Sequence, residues 1–444
     1  MKKDGTYSMD YGTYSYTLTK DGYVPERGTF IVGGDDNVTG EKLVTIPLRS
    51  VGGAIYDGST KAEPQKDGSG VYLIGTGPEL AWYAANHNGA SAKLTADISM
   101  GGYSVQITGL KGTFDGNGHY ITDYYGNKSL FQSPSSGSVI CNLGIEGIIK
   151  DSTEHFGQGG FVSNIGDISF TVENCVSRVD VSGNGRGMAG IIGYAGANSS
   201  NSPRAINCYN TGSVHGSGYG STGGISGIED STDITYIVNC YNIGTISGSK
   251  PYSISQCNRG TIRNNYGLLG SAPDIGGTGV TGDVLRTYAD TLGDAYLDNP
   301  TSYNDGYPIL TWEEPRALAV AKEEYPAQLE AYESGKDFAE GAAKQLALAV
   351  KDGKAAIAKT KTLADAKAAL EEAKKVIDAI DPADLVLAGD TNDDGNVTGK
   401  DSVMLALHLA GQTNKNFNSA NADFNGDGSV NGKDSVLLAR HLAS

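Results

Sequence analysis

An internal repeat near the middle of the chain constrains the fold more than any other feature of the sequence. Three segments align: GGFVSNIGDISFTVENCVSRVDVSG, AGIIGYAGANSSNSPRAINCYNTGSVHG and GGISGIEDSTDITYIVNCYNIGTISG, beginning at Gly159, Ala189 and Gly223. Each has a glycine-rich apolar start, a polar loop and a short strand that ends at glycine. Repeats this short cannot bury their apolar side alone, so they must stack on one another. We expect a right-handed parallel β-helix in residues 51–316.

The Asn-Cys pair in each repeat predicts what faces the interior. Cys175, Cys208 and Cys240 lie 33 and 32 residues apart. The chain has five cysteines and no CxxC pair, which excludes a disulfide framework and a zinc site. We expect the repeated cysteines to stack inward as small apolar side chains. The preceding asparagines should form a hydrogen-bonded ladder between repeats; they are Asn174, Asn207 and Asn239.

The repeated stretch resembles the GLUG-motif repeats of secreted and surface-attached bacterial proteins. The resemblance extends upstream to YLIGTGPELAWYAAN, whose Trp82 we expect to be buried in a capping helix. It extends downstream to LGDAYLDNPTSYNDGYPILTW, which it implies is the closing segment. Tyr209, Tyr241 and Tyr266 also repeat; facing outward they would suit sugar rings, but we favour core or mixed packing.

The flanking segments differ from the repeats. Residues 1–50 alternate as short strands with turn residues, which indicates a small β-sandwich-like module. No apolar segment follows MKKDG, so there is no signal peptide, and we expect the chain to be truncated at its N-terminus. Residues 317–384 show helical spacing and indicate an α-helical spacer. We expect breaks at Pro326, at Ser334-Gly335 and at Gly353, and a cap at Thr362.

Composition excludes two classes of partner. Lysine plus arginine is 34 against 51 for aspartate plus glutamate, so the net charge is −17. That excess argues against nucleic acid and against anionic membrane surfaces. No apolar run approaches the roughly 20 residues that span a bilayer, so we expect no direct membrane insertion.

The chain ends in a second kind of repeat. DTNDDGNVTGKDSVMLALHLA begins at Asp390, and DFNGDGSVNGKDSVLLARHLA begins at Asp423, 33 residues later. Carboxylate and amide side chains fall at positions 1, 3, 5 and 12 of each loop, with glycine at position 6. Calcium takes roughly six to eight oxygen ligands, and a loop of this pattern supplies them. The predicted ligands are Asp390, Asn392, Asp394, Asn396 and Asp401 for one Ca²⁺ ion, and Asp423, Asn425, Asp427, Ser429 and Asp434 for the other.

The twelfth ligand is aspartate, and no helix precedes either loop. These features resemble a type I dockerin over residues 389–444, which implies an all-α module at residues 385–444 with two EF-hand-like calcium loops. The resemblance implies a cohesin of a scaffoldin as partner and an extracellular, scaffold-associated location. It places partner choice at loop positions 10 and 11 and on the helix face: Gly399, Lys400, Leu407, Gly432, Lys433 and Arg440. His408 and His441 should be surface or contact residues.

Two functions stay open for the β-helix. We favour a non-catalytic, adhesive or carbohydrate-binding role in polysaccharide utilisation, with a polysaccharide or glycan as ligand. The alternative is a carbohydrate-active enzyme, either a hydrolase of O-glycosyl compounds or a polysaccharide lyase. A glycosidase needs two suitably spaced carboxylates. The region offers few candidates: Asp115 in a predicted turn, the Asp151, Glu154 and His155 group, and Asp230 with Asp233.

Overall fold

A computed structural model describes residues 12–18, 26–32, 53–151, 157–163, 168–194, 203–227, 235–257, 259–270, 272–273, 275–334, 340–380, 387–412 and 414–443. The chain divides into two compact units. One comprises Met1–Asp298 and Tyr307–Glu313, and the other comprises Asn299–Gly306 and Glu314–Ser444.

The first unit is a large sheet-rich body. Near its N-terminus, strands β1 and β2 pair antiparallel. The strands in the described residues of this unit are β1 Gly12–Leu18, β2 Glu26–Val32, β3 Gln65–Lys66, β4 Tyr72–Ile74, β5 Ala92–Leu94, β6 Ile98–Ser99, β7 Ile107–Thr108, β8 Thr113–Gly126, β9 Phe131–Gln132, β10 Val139–Asp151, β11 Val162–Ser163, β12 Thr171–Glu173, β13 Val176–Gly183, β14 Met188–Ala189, β15 Ile192–Gly193, β16 Arg204–Ile206, β17 Tyr209–Asn210, β18 Val214–Gly216, β19 Thr222–Gly223, β20 Thr235–Val238, β21 Tyr241–Asn242, β22 Ile246–Gly248, β23 Pro251–Tyr252, β24 Gly260–Arg263, β25 Tyr266–Leu268, β26 Thr278–Val280, β27 Tyr296–Leu297 and β28 Ile309–Leu310. Its helices are α1 Gly77–Asn86, α2 Gly282–Leu285, α3 Ala289–Leu292 and a 3-10 helix at Thr311–Glu313. The remaining expectations for residues 1–50 lie outside the described residues.

Strands of successive repeats pair in parallel, each with its own counterpart. Val181 of β13 pairs with Val214 of β18, which pairs with Ile246 of β22. Tyr209 pairs with Tyr241 in the same way. The partners are 33 or 32 residues apart, so the sequence period is also the pairing period.

The side chains inside this body are mainly apolar, and the repeated cysteines lie among them. Cys175, Cys208 and Cys240 are all fully buried in one cluster with isoleucine, valine and phenylalanine side chains. Burial raises the pKa of the Cys175 and Cys240 thiols, so they stay protonated at neutral pH. The predicted role of the cysteines as small core residues is confirmed.

The predicted asparagine ladder is also confirmed. The Asn207 side-chain amide donates to Asn174 Oδ1 at 3.0 Å, and the Asn239 amide donates to Asn207 Oδ1 at 3.0 Å. The row continues to Asn142 and Asn264. All five have left-handed backbone angles, with φ between 51° and 59°. Asparagine tolerates this left-handed conformation, and its side-chain amide forms a hydrogen bond with the asparagine of the neighbouring repeat.

The glycines of the repeat are required by a second, inner row of amides. Asn210 Nδ2 donates to Asn242 Oδ1 at 2.8 Å, and both side chains are fully buried. A Cβ atom on Gly190 would lie 2.3 Å from Asn210 Cγ, and one on Gly224 would lie 2.5 Å from Asn242 Cγ. Real Cβ atoms do not approach so closely, so only glycine fits. This contact explains why the apolar start of each repeat is glycine-rich.

The repeated tyrosines are covered by the chain that follows the repeats. The rings of Tyr209 and Tyr241 stack at 4.7 Å and are fully buried. The Tyr241 hydroxyl donates to the Pro308 carbonyl, and Tyr209 donates to Glu313 Oε2 at 2.7 Å. Tyr266 is half-buried against Tyr288. The preference for core packing is confirmed, and Tyr209 and Tyr241 are inaccessible to sugar rings.

Trp82 departs from its expected burial. Helix α1 is capped by Thr76, whose hydroxyl accepts a hydrogen bond from Glu79 N at 3.3 Å. Leu80 and Tyr83 occupy the buried side of the helix. The indole of Trp82 is therefore only partly buried, with its ring 5.6 Å from that of Tyr72.

The second unit begins with three helices, α4 Glu314–Ser334, α5 Glu340–Lys359 and α6 Leu363–Asp378, preceded by a 3-10 turn at Tyr303–Gly306. Two predicted breaks are wrong, because Pro326 lies inside α4 and Gly353 lies inside α5. Glycine at 353 lets α5 approach α6 closely: a Cβ there would be 2.6 Å from that of Ala373. Thr362 caps α6, with its hydroxyl accepting from Asp365 N at 3.1 Å, as predicted.

The C-terminal region contains α7 Gly399–Leu409, α8 Ser419–Ala422 and α9 Gly432–Ala443. Leu405, Ala422 and Leu438 form its small buried core. The expectation of an all-α module is wrong, because the loops before α7 and α9 are irregular and are held by side-chain hydrogen bonds. Across the described part of the chain, no helix has the length and hydrophobicity that a membrane span needs.

Candidate metal centre and partner surface

The first C-terminal loop folds around its own carboxylates. Asp390 accepts hydrogen bonds from the backbone N–H groups of Asp394 at 3.0 Å and Gly395 at 2.8 Å. Asp401 accepts from Asn392 N at 3.1 Å and Thr398 N at 2.8 Å. The carboxylates at positions 1 and 12 thus hold the two halves of the loop together.

Three acids converge in this loop. Oxygen atoms of Asp390, Asp394 and Asp401 lie within 4.8 Å of one another, and this is the only such group of metal-binding side chains in the described residues. Asp390 is 2% exposed and Asp401 is 0% exposed. Burial, with the nearby charges of Asp401 and Asp394, raises the pKa of Asp390. Buried carboxylates of like charge repel, and a divalent cation would remove that repulsion, so the residues fit calcium.

The second loop repeats these contacts. Asp423 accepts from Asp427 N at 3.0 Å and from Gly428 N at 2.7 Å. Asp434 accepts from Asn425 N at 3.1 Å and is 0% exposed. The residues at position 7, Asn396 and Ser429, each donate a backbone N–H to the position 5 carboxylate at 3.1 Å. The two loops therefore share the same hydrogen bonds to the carboxylates at positions 1, 5 and 12, although in the described residues only the first loop brings its three acids within 4.8 Å of one another.

The two loops differ in what supports them. Asn421 Nδ2 donates to the Asp390 carbonyl at 3.0 Å, and Asn418 N donates to the Thr391 carbonyl at 2.9 Å. Asp393, at position 4 of the first loop, forms an ion pair with Lys344 of α5. Sequence reasoning missed these residues. Asn418 carried a signal, because it precedes Ser419 at a helix start and caps α8.

The predicted partner residues lie at equivalent places on two helices. Gly399 and Lys400 begin α7, Gly432 and Lys433 begin α9, and all four are exposed. Leu407 and Arg440 are exposed further along the same helices. Sequence reasoning missed Val403 and Val436, which occupy matching positions with exposed fractions of 59% and 53%. Exposed apolar side chains bordered by polar residues mark partner surfaces when they form a continuous patch.

The paired histidines are contact residues, as expected. The His408 ring stacks on Phe417 at 3.8 Å, and the His441 ring lies 5.5 Å from Phe424.

The acids proposed as catalytic candidates in the sheet-rich body serve local structure where the structure describes them. Asp115 lies within strand β8 rather than in a turn, where the pairing with β10 shifts register, and it accepts from Asn117 N at 2.8 Å and from Asn142 Nδ2 at 3.1 Å. Asp151 is 5% exposed and accepts from Gln158 Nε2 at 3.0 Å. Glu154, His155, Asp230 and Asp233 lie outside the described residues.

Comparison with known proteins identifies the C-terminal region. The family described as "Dockerin type I domain" matches residues 388–443. Type I dockerin domains bind calcium through EF-hand-like loops, and such a domain supports attachment to a scaffoldin through a cohesin. The chain is also similar to a solved structure described as "a putative immunoglobulin A1 protease from Bacteroides ovatus". That similarity has 15% identity and a TM-score of 0.36, and it covers 57% of this chain and 96% of the other. No curated protein matches.

Proposed function

We propose that this is an extracellular display protein that is mounted on a cellulosome-type scaffoldin by its C-terminal region. The domains would be a small β-sandwich-like module at 1–50, a GLUG-repeat right-handed β-helix at 51–316, a helical spacer at 317–384 and a type I dockerin at 385–444. The β-helix would have an adhesive or carbohydrate-binding role in polysaccharide utilisation.

The doubled loop carries the proposal. Asp401 and Asp434 are fully buried, and each accepts hydrogen bonds that organise its own loop. Each also lies in the first turn of a helix, directly after an exposed lysine. Burying a carboxylate is unfavourable unless it is paired, and a bound cation supplies the pairing. We assign calcium ligation to Asp390, Asn392, Asp394, Asn396 and Asp401 in the first loop, and to Asp423, Asn425, Asp427, Ser429 and Asp434 in the second.

The β-helix assignment is supported by the pairing period. Counterpart residues of successive repeats are neighbours across parallel strands, and the two amide rows run through the stack in the same order. A solenoid has this property, because each coil contacts the coil before and after it.

The near-identity of the two helices suggests two docking orientations. Gly399 and Lys400 of one copy match Gly432 and Lys433 of the other, whereas Leu407 is replaced by Arg440. A cohesin that reads the shared residues could bind either face, with the polypeptide reversed.

Single and double lysine substitutions test this idea with calcium present. Lys400→Ala or Lys433→Ala alone should weaken cohesin binding by only about twofold, because one of two orientations survives. The double substitution should remove most of the affinity, while Lys415→Ala serves as an exposed control in the same region. Loss of binding in either single variant would contradict dual docking.

The catalytic alternative is tested separately. A reducing-sugar assay and an absorbance assay for unsaturated products, on plant and mucin polysaccharides, should give no signal with the full chain. Release of new chain ends would favour a hydrolase or lyase over a display protein.

A further inference from the structure

A row of exposed basic and aromatic side chains lies on the outside of the sheet-rich body, in a chain whose net charge is −17. The row follows the ends of strands β10, β13, β18 and β22 and the turns after them. Its members, called here the cationic patch, are Lys150, Arg186, His215, Tyr219 and Lys250, and all are exposed.

The strand pairing brings part of the patch into one line. Lys150 pairs with Ser182, Ser182 pairs with His215, and His215 pairs with Ser247. His215 Nδ1 and Ser247 Oγ are 2.9 Å apart. Adjacent strands are about 4.8 Å apart, so Lys150 and His215 are separated by about 10 Å along the stack.

The turns that follow these strands stack as well. A Cβ atom on Gly218 would lie 2.1 Å from the Asn184 carbonyl oxygen, so the turn that bears Tyr219 rests directly on the turn that bears Arg186. The Lys250 ammonium of the next turn lies 5.2 Å from the centre of the Tyr219 ring. Tyr219 is nevertheless 72% exposed. The three turns therefore present a cation, an aromatic ring and a cation in succession.

Two acids on strands β10 and β13, which lead to the patch, accept local hydrogen bonds. Asp151 is buried and accepts from Gln158. Asp180 accepts from Ser213 N at 2.9 Å and from Ser213 Oγ at 2.7 Å.

We propose that the cationic patch binds a linear anionic polysaccharide, whose carboxylate or sulfate groups pair with Lys150 and Lys250 while a sugar ring stacks on Tyr219. Basic side chains carried by successive strands and turns of one stack can meet successive charges along a polymer. An exposed tyrosine adds apolar contact with a sugar ring that cations alone do not provide. This inference rests on the carbohydrate-binding part of the proposed function and names its ligand class.

Affinity electrophoresis and calorimetry of the full chain test the patch. The probes are polygalacturonate and chondroitin sulfate, with fully methyl-esterified polygalacturonate as a neutral match and single-stranded DNA as an unrelated polyanion. We expect binding to one or both acidic polysaccharides, weaker binding as ionic strength rises, and none to the ester or to DNA. The two acidic probes distinguish carboxylate from sulfate recognition.

Variants locate the site. Tyr219→Ala with Lys250→Gln should weaken binding about tenfold, and adding Lys150→Gln should weaken it further. Lys61→Gln, an exposed cation outside the patch, is the control. All these side chains are exposed, so thermal unfolding should not change, and measuring it shows that the variants fold.

Three results would overturn the inference: equal binding of the neutral ester, equal binding of DNA, or undiminished binding by the patch variants. Cohesin binding is measured on the same preparations. A chain that binds cohesin but no polysaccharide would overturn both the patch and the carbohydrate-binding role, and would leave scaffold attachment standing. Polysaccharide binding that is unchanged in the patch variants would overturn only the assignment of the patch as the binding site.

Discussion

The molecule contains two kinds of repeat with nearly equal periods, and they differ in whether equivalent residues of successive repeats contact one another. In the sheet-rich body, equivalent residues touch one another: Asn174, Asn207 and Asn239 are linked directly through their side chains. In the C-terminal region, Asp401 and Asp434 are equivalent, yet each organises only its own loop.

This difference separates two sources of stability. The repeats of the body bury apolar side chains and amides against the next repeat, so their stability comes from the chain itself. The C-terminal repeats bury carboxylates around a small core of Leu405, Ala422 and Leu438. A core of that size contributes little, so a cation that neutralises the loops has a large share in the stability of the region.

Removing the position 12 carboxylates should have the largest effect. Asp401→Ala with Asp434→Ala should weaken cohesin binding about a hundredfold or more, because both loops lose calcium. Calorimetric titration with calcium and cohesin measures this. Asp393→Asn is the matched control, since Asp393 lies in the first loop but outside the proposed ligand set. Retained cohesin affinity in the double variant would contradict the ligand assignment.

The next effect concerns the body and should be independent of calcium. Glu313 is fully buried and accepts hydrogen bonds from Tyr120, Tyr209 and Leu310 N. Glu313→Ala should lower the free energy of unfolding of the first unit by about 3–5 kcal/mol, because these donors lose their partner. Denaturant unfolding with and without calcium measures it.

The adjacent residue gives the control for that substitution. Glu314 accepts from Leu363 N at 2.9 Å within the second unit. Glu314→Ala should leave the first unit unchanged. If Glu313→Ala destabilised only the calcium-sensitive transition, the proposed independence of the two regions would be wrong.

The asparagine ladder should show a smaller effect. Asn207→Ala removes two ladder hydrogen bonds and places alanine at a φ of 51°. We expect a loss of about 2–4 kcal/mol in the unfolding free energy of the first unit. Asn207→Gly relieves the backbone strain and should be less harmful. Equal losses in the two variants would show that the ladder bonds account for the whole effect.

The smallest effect is a pH dependence of the calcium-free C-terminal region. The folded pKa of Asp390 is raised above its unfolded value, so its contribution is present at low pH and is lost as pH rises through the folded pKa. In chelator, the melting temperature of this region should therefore fall as pH rises above about 4, the ordinary range of aspartate. With saturating calcium this trend should disappear, because the loaded loop favours the ionised form.

Residues with local or periodic roles could be predicted from the sequence. The inward cysteines, the outer asparagine ladder and the Thr362 cap follow from spacing and from the preferences of those residue types. Glu313 could not be predicted, because its partner Tyr209 is 104 residues away and only the folded chain brings them together. Pro326 and Gly353 misled for the opposite reason: tertiary packing holds α4 and α5 through residues that are unfavourable inside a helix.

In the first C-terminal loop the sequence pattern was sufficient to predict that Asp390, Asp394 and Asp401 converge, because all three acids are close in sequence. The contacts of Asn421 and Lys344 with the first loop join segments that are far apart in sequence, so no spacing rule indicated them, whereas the helix cap at Asn418 did carry a local signal. Val403 and Val436 were visible in the helix sequence, but only their exposure in the folded chain distinguishes them from the buried core residues Leu405 and Leu438.

Differential scanning calorimetry of the full chain, in calcium and then in excess chelator, tests the central claim most directly. We predict two transitions, of which only that of the C-terminal region moves to lower temperature or disappears when calcium is removed. A thermogram that is unchanged by chelator, or one in which the sheet-rich body shifts equally, would contradict the account.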